Sequence, residues 1–113
     1  METKKNIEIN GAEILNDAEK ETINKITSGA YDKLKRSVKN NFILKVVLKE
    51  YSRDKENLVK RRKFSVHAEI SGFSRIFEAD DFGWELNKVF HSVFQKLNKE
   101  LEHEFHVSEQ GKR

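Results

Sequence analysis

The clearest pattern in the chain predicts a long amphipathic helix between Trp84 and Phe105. Apolar residues recur there at spacings of three and four, which places them on one side of an α-helix: Leu86, Val89, Phe90, Val93, Leu97 and Leu101. They fill an arc of roughly 120°, with Phe94 at its edge. The opposite side is polar and carries Lys88, Ser92, Gln95, Lys99 and Glu102. Asp80 or Asp81 is expected to cap the first turn, since a carboxylate accepts hydrogen bonds from the free N–H groups there.

A second helix and four strands are predicted from the same kind of pattern. Asn6–Asn10 alternates polar and apolar residues and ends at Gly11, which indicates a short strand. A helix follows from an N-cap at Asn16 or Asp17 to Val38, with the apolar stripe Ile23, Ile26, Ala30 and Leu34. Three strands follow at Phe42–Tyr51, Phe64–Ile70 and Phe73–Ala79.

The resulting order is β-α-β-β-β-α, which predicts an α+β fold. The economical arrangement is one four-stranded, mostly antiparallel sheet with both helices packed on one face, because this buries both apolar stripes together. We expect a single domain over residues 1–107 and a polar C-terminal tail over 108–113. The outward sides of the two helices then form one continuous surface.

Composition narrows the classes of function. The 113 residues are 36% charged but carry a net charge of only +3, so any functional charge must come from its segregation between faces. The chain has no cysteine, which excludes disulfides and cysteine-ligated zinc. It shows no apolar run of membrane-spanning length and no signal-peptide pattern. We therefore expect a cytoplasmic protein with no membrane partner.

Basic residues on the outward sides of the helices are the first candidate binding site. On the first helix these are Lys25, Lys33, Lys35, Arg36 and Lys39, and on the last helix Lys88, Lys96 and Lys99. Together they predict a basic strip that spans two adjacent helices. Each lysine or arginine that contacts a nucleic-acid phosphate releases condensed counterions, so such a strip suits RNA. The alternative is that these side chains only keep the protein soluble, since Glu21, Asp32 and Glu102 share the surface.

A second basic run occupies Lys60, Arg61, Arg62 and Lys63. It ends the charged segment Ser52–Lys63, which is predicted to be a mobile connection between antiparallel strands. The run has two interpretations of equal weight. It is either a flexible arm that reaches a second phosphate site, or a charged guard that stops a sheet edge from pairing with another chain.

Catalytic and metal sites are not predicted. His103 and His106 have a spacing that can present two imidazoles to one ion, but no third ligand accompanies them. The sequence has no glycine-rich phosphate loop and no nucleophile elbow. The adjacent Asp80 and Asp81 are explained by helix capping. We expect no enzyme activity, no cofactor, no metal and no small-molecule substrate.

The aromatic residues are interpreted as core. Phe64, Phe77, Phe90 and Phe94 fit the buried pattern of their elements. Base stacking on the sheet requires an uncovered face rich in aromatic side chains. The polar residues Ser65, His67 and Glu69 argue against such a face.

The chain resembles the short ribosome hibernation-promoting factor family, also called ribosome-associated inhibitors. The residues that carry the resemblance are Asn6-Ile7-Glu8-Ile9-x-Gly11-x-x-Ile14, Phe77-x-Ala79, and the last helix from Trp84-Glu85-Leu86 through Phe90 to Gln95–Leu101. The resemblance covers nearly the whole chain. The sequence departs from the family in its charged connection at Ser52–Lys63, in Gly29 within the first helix, and in the mixed charge of the last helix.

The resemblance implies a ribosome-associated hibernation or stress factor. Members of that family bind small-subunit ribosomal RNA at the channel used by messenger and transfer RNA, through basic residues of the two helices, and inhibit translation. The expected partners are therefore the small ribosomal subunit and its RNA, with the protein acting as a monomer or weak dimer. The alternative is a protein-interaction or oligomerisation module of the same fold that binds no RNA and uses its sheet face or a free strand edge.

Overall fold

The computed structural model describes residues 6–38, 41–52, 62–72 and 75–111, with side chains described for 6–38, 41–50, 63–72 and 75–103. Strand β1 (Ile7–Asn10) leads through a short 3-10 turn into helix α1 (Asp17–Val38). Strands β2 (Ile43–Ser52), β3 (Arg62–Ser71) and β4 (Phe77–Gly83) follow, and helix α2 (Leu86–Gly111) closes the fold. The predicted α+β order is confirmed.

The four strands form one mixed sheet in the order β1-β2-β3-β4. β1 pairs parallel to β2, while β2–β3 and β3–β4 are antiparallel, with Val46 opposite Ala68 and Ala68 opposite Ala79. The parallel pair follows from the position of α1, because two parallel strands need a crossover connection between them. The sheet is therefore mostly antiparallel, as predicted.

Both helices cover the same face of the sheet. Alternate strand residues on that face are fully buried: Leu44, Val46, Val66, Ala68 and Ile70. They meet the apolar stripe of α2, of which Phe90, Val93, Leu97 and Leu101 are fully buried, and the stripe of α1 through Ile23 and Leu34. The other face, here called the open face, carries polar and exposed residues. The predicted burial of Leu86, Val93 and Leu97 and the predicted exposure of Lys88 and Lys99 are confirmed.

The start of each helix shows how local chemistry sets its boundary. At α1, Asn16 Oδ1 accepts a hydrogen bond from the Glu19 N–H at 2.7 Å, and the Asn16 N–H donates back to Glu19 Oε1 at 3.1 Å. This reciprocal pair is a capping box, and it identifies Asn16 as the N-cap. At α2, the predicted cap at Asp80 or Asp81 is wrong. Both residues lie in β4, and the helix begins after Glu85, whose carbonyl oxygen accepts from the Val89 N–H at 3.0 Å.

Other predicted boundaries also differ from the structure. β4 was predicted at Phe73–Ala79, but it begins at Phe77 and continues to Gly83, because Phe77 pairs with Ile70 and Gly83 with Phe64. Helix α2 continues past Phe105 to Gly111, through residues predicted as tail. The chain contains no proline, and no glycine precedes Gly111 in this helix, so no residue type that stops a helix intervenes.

The predicted mobile connection is shorter than its sequence suggested. Ser52 ends β2, and Arg62 and Lys63 begin β3, where Ser52 pairs with Arg62. The remainder, residues 53–61, lies outside the described residues, and the predicted mobility therefore stays a prediction. Neither helix, within the part of the chain that the structure describes, combines the length and apolar character that a membrane span needs.

Candidate nucleic-acid interface

A groove runs between α1 and α2 on the side of the helices that faces away from the sheet. Its rims are two rows of residues four apart. Lys25, Gly29 and Lys33 form the row on α1, and His91, Gln95 and Lys99 form the row on α2. Residues at i and i+4 lie one above the other on a helix, so each row runs along its helix axis. Two lysines of α1 and one lysine of α2 are thus brought to one concave surface, which we call the interhelical groove.

The floor of the interhelical groove is apolar and firm. It is formed by Ile26, Ala30, Leu34 and Phe94, and Leu34 and Phe94 belong to the buried core. Gly29 leaves a gap between the two lysines of its row, since a Cβ added there would meet nothing within 4 Å. The result is a shallow channel with cations on its rims and no side chain blocking its middle on the α1 side.

The polar groups of the groove are concentrated on α2. Asn98 Nδ2 donates a hydrogen bond to Glu102 Oε2 at 3.1 Å. The Asn98 Oδ1 atom is buried and has no hydrogen-bond partner among the described residues. Glu102 is the one acidic side chain in the lining described, against the three lysines Lys25, Lys33 and Lys99. The groove is therefore cationic, with an amide and an imidazole able to hydrogen-bond a ligand.

The structure does not bring all the predicted basic residues to this groove. Arg36 and Lys88 are exposed outside the lining, and Lys88 Nζ lies 3.5 Å from Glu85. Lys35 Nζ donates to Asn41 Oδ1 at 3.0 Å and lies 5.8 Å from the centre of the Phe42 ring. Lys39 lies outside the described residues. Of the predicted basic strip, Lys25, Lys33 and Lys99 therefore line the groove, and the other described basic residues lie outside its lining.

Lys96 has a different environment because it reaches back to the sheet. Its Nζ donates to the Asp80 carbonyl oxygen at 3.1 Å and lies 3.5 Å from Asp81 Oδ2. Asp81 also accepts hydrogen bonds from Ser92 Oγ and from the Phe82 N–H at 2.8 Å. These bonds, led by the one from Ser92, hold the pKa of Asp81 below its usual range, and the Lys96 ammonium adds to the effect. Asp81 therefore ties β4 to α2 and does not cap the helix.

Only part of the second basic run, Lys60–Lys63, belongs to the described part of the sheet. Lys60 and Arg61 lie outside the described residues, and the side chain of Arg62 is likewise not described. Lys63 lies on the open face, where its Nζ is 4.6 Å from the centre of the Phe82 ring and 5.6 Å from that of Trp84. β3 pairs with both β2 and β4. Among the described residues, however, the pairing with β4 begins at Phe64, and Arg62 and Lys63 pair with β2 alone, so both interpretations of the run stay predictions.

The open face also carries an acidic cluster around His67 that the sequence analysis missed. His67 Nε2 is 3.1 Å from Glu78 Oε1 and 3.7 Å from Glu69 Oε1, and His67 Nδ1 is 3.7 Å from Asp80 Oδ2. His67, Glu69 and Glu78 bring ligand-type atoms within 4.8 Å of one another. The strand register explains the cluster, since His67 is opposite Asp80 and Glu69 is opposite Glu78.

The fold is shared with a protein domain of known structure. The chain is similar in structure to the N-terminal domain of Protein Y from Thermus thermophilus, with a TM-score of 0.56 over 89% of this chain and 98% of that domain. The two sequences are 13% identical, so the comparison establishes the fold. No protein-family model and no curated protein sequence matches the chain.

The structural comparison agrees with the resemblance found in the sequence. The same arrangement of four strands and two helices was expected from the pattern around Gly11 and Leu97. What the sequence analysis missed was the groove itself. Its signal was present as the two rows at spacing four, Lys25–Gly29–Lys33 and His91–Gln95–Lys99, but only the contact between the helices shows that the rows face one another.

Proposed function

We propose that this chain is a ribosome-associated hibernation or stress factor that binds RNA of the small ribosomal subunit in its interhelical groove and inhibits translation. The observation that carries the proposal is the convergence of Lys25, Lys33 and Lys99 on one concave surface. The fold also supports the proposal, because it is similar to that of Protein Y, a ribosome hibernation-promoting factor.

The groove suits a folded RNA backbone. Phosphates attract the lysines of both rims, and each contact releases condensed counterions, which supplies most of the affinity without reading a base. The gap at Gly29 lets a sugar–phosphate chain approach the α1 backbone closely. The exposed side chains of His91 and Gln95 on the α2 rim can hydrogen-bond a ribose 2′-hydroxyl, the group that distinguishes RNA from DNA.

The remaining basic residues act at the margin of this site. Arg36 and Lys88 extend the positive field along the outer sides of the helices and accelerate encounter with RNA. Lys35 and Lys96 have intramolecular contacts, and they contribute less to binding than the three groove lysines. When the protein lies in the channel used by messenger and transfer RNA, with both helices against ribosomal RNA, it blocks the access of those RNAs and inhibits translation without any catalytic step.

The test is co-sedimentation with purified ribosomes and separated subunits at low and high salt. The protein should pellet with small subunits, and binding should weaken steeply as salt increases. In the variant Lys25→Glu/Lys99→Glu, binding should be lost at moderate salt. The slope of log affinity against log salt should fall by about two, since one phosphate contact is removed at each site.

The matched control is Lys20→Glu/Lys45→Glu, which changes the net charge equally at residues outside the groove. It should retain binding, with a slope close to that of the parent. Equal loss in both variants would show a response to net charge alone and would contradict the groove. If the parent protein binds no ribosomal particle at any salt, the protein-interaction module becomes the better account.

A further inference from the structure

Two aromatic side chains and a lysine meet at one end of the open face, on the side of the sheet opposite the interhelical groove. Phe82 is 66% exposed and Trp84 is 51% exposed, which is unusual for rings of this size. The Lys63 ammonium lies 4.6 Å from the centre of the Phe82 ring and 5.6 Å from that of Trp84. We call these three residues the sheet-end cluster.

The register of the strands places more cationic and polar groups beside the sheet-end cluster. Lys49 is opposite Ser65, and Ser65 is opposite Phe82, so the three side chains form one row across the open face. Lys49 is exposed, and Ser65 is partly exposed. Two ammonium groups and a hydroxyl therefore lie at the same end of the open face as the two rings, with Lys63 directly over them and Lys49 two strands away from Phe82. An aromatic ring for stacking and a cation for the adjoining phosphate are the groups with which proteins hold an unpaired base.

The opposite charge lies on the next rows of the same face. Asp80, Glu69 and Glu78 surround His67 there and outnumber the one lysine of these rows, Lys45, which is opposite Glu69, so a phosphate is repelled from the middle of the open face. The open face is thus divided into an aromatic, cationic end and an acidic middle. This division limits a bound strand to its end, at the start of β3 and the finish of β4, and excludes a path along the whole sheet.

We propose that the sheet-end cluster is a second RNA site, which stacks on an unpaired base of single-stranded RNA and holds the adjoining phosphate with Lys63 and Lys49. The base stacks on Phe82 or Trp84, and the Lys63 ammonium moves from above the rings to the phosphate. The site extends the proposed RNA binding to the opposite side of the sheet and uses none of the groove residues. It binds without base-specific contacts, since every base presents a face for stacking.

The chain supplies its own probe, because Trp84 is the one tryptophan in the sequence. Its fluorescence should be quenched when a base stacks beside it. The protein is titrated at low salt with a hexamer of uridine, a hexamer of adenosine, and an abasic hexamer with the same number of phosphates. The first two should quench the fluorescence, whereas the abasic hexamer should not.

Variants separate stacking from charge. Phe82→Ala should weaken binding of the adenosine hexamer about 5- to 150-fold, the range measured when one stacking ring is removed, and Phe82→Tyr should keep it. The matched control is Ile43→Ala, which removes another exposed apolar side chain from the far end of the same face and should have no effect. Because both changed residues are exposed, folding should be retained, and circular dichroism checks this.

The outcome is independent of the interhelical groove. The variant Lys25→Glu/Lys99→Glu should lose ribosome binding yet keep the quenching, whereas Phe82→Ala should do the reverse. Equal quenching by the abasic hexamer, or unchanged affinity in Phe82→Ala, overturns the proposal. An absence of binding to every hexamer also overturns it, and the exposed rings then become candidates for contact with a protein.

Discussion

Gly29 in the middle of α1 offers a direct test of how the interhelical groove is built. A glycine inside a helix costs about 1 kcal/mol relative to alanine, because its backbone loses more freedom on folding. The Cβ of an alanine at this position would meet no atom within 4 Å, so no steric cost offsets the gain. Gly29→Ala should therefore raise the free energy of unfolding by about 1 kcal/mol. For a domain near 100 residues this corresponds to an increase in Tm of roughly 4–8 °C.

The assay is urea unfolding followed by circular dichroism, with Gly11→Ala as the matched control. Gly11 has φ 96°, and an added Cβ would lie 2.0 Å from the Leu48 carbonyl oxygen. The same methyl group should there destabilise the protein by at least about 1–3 kcal/mol, the usual cost of a strained backbone conformation. A loss of stability in Gly29→Ala would refute this account, since it would mean that the added methyl group meets neighbours or that the α1 backbone is not regular at that point.

Two further predictions concern the contacts of α2. The pKa of Asp81 is lowered in the folded protein, so its contribution to stability is complete above its unfolded pKa of about 4 and is lost as the pH falls through the folded value. Asp81→Asn should lower the free energy of unfolding by on the order of 1 kcal/mol at pH 7 and flatten its decline below pH 4 in urea titrations. An unchanged pH profile would contradict this. Leu97 is fully buried, and Leu97→Ala should cost about 2–5 kcal/mol in urea unfolding; a loss under about 1 kcal/mol would show that its side chain does not fill the core.

Elements with a regular apolar period were predictable from the sequence. The burial of Leu97 follows from its place in a run with spacings of three and four, and the burial of Val66 follows from the strict alternation of β3. Both patterns arise because one face of the element is covered by another part of the protein. They can be recognised in the sequence without knowing which element covers that face. The parallel pairing of β1 with β2 was not among the predictions, although α1 supplies the crossover that such a pair needs.

The end of β4 was not predictable in this way. Two aspartates immediately before a helical pattern fit a helix cap. In the structure, however, Asp81 is satisfied by Ser92 and Lys96, which are 11 and 15 positions later in the chain. The Asp81 carboxylate thus binds side chains of α2 and does not accept hydrogen bonds from the first turn of that helix, as a cap would. The same contact turns the Lys96 ammonium towards β4, where its partners Asp80 and Asp81 lie.

The candidate sites were predictable in part. Solvent exposure of Lys25, Lys33 and Lys99 follows from helical periodicity, but their convergence depends on how α1 and α2 pack. The sheet-end cluster was harder to predict from the sequence than the groove. Trp84 was assigned to the helix, and the aromatic residues were assigned to the core, whereas the register of β4 places Phe82 beside Ser65 on the open face. Register depends on pairing between strands, which periodicity alone does not supply.

The order of the strands has a consequence for how the chain folds. Each strand pairs with its neighbour in the chain, so β2, β3 and β4 form by two antiparallel steps that close short segments. Among the described strands, β1 pairs with β2 alone, across the whole of α1, and it contributes four residues. Closing that longer segment costs more chain entropy before any contact compensates for it. We expect the unit from β2 to α2 to form first and the N-terminal strand to dock last, as the part of the sheet that also opens most readily in the native state.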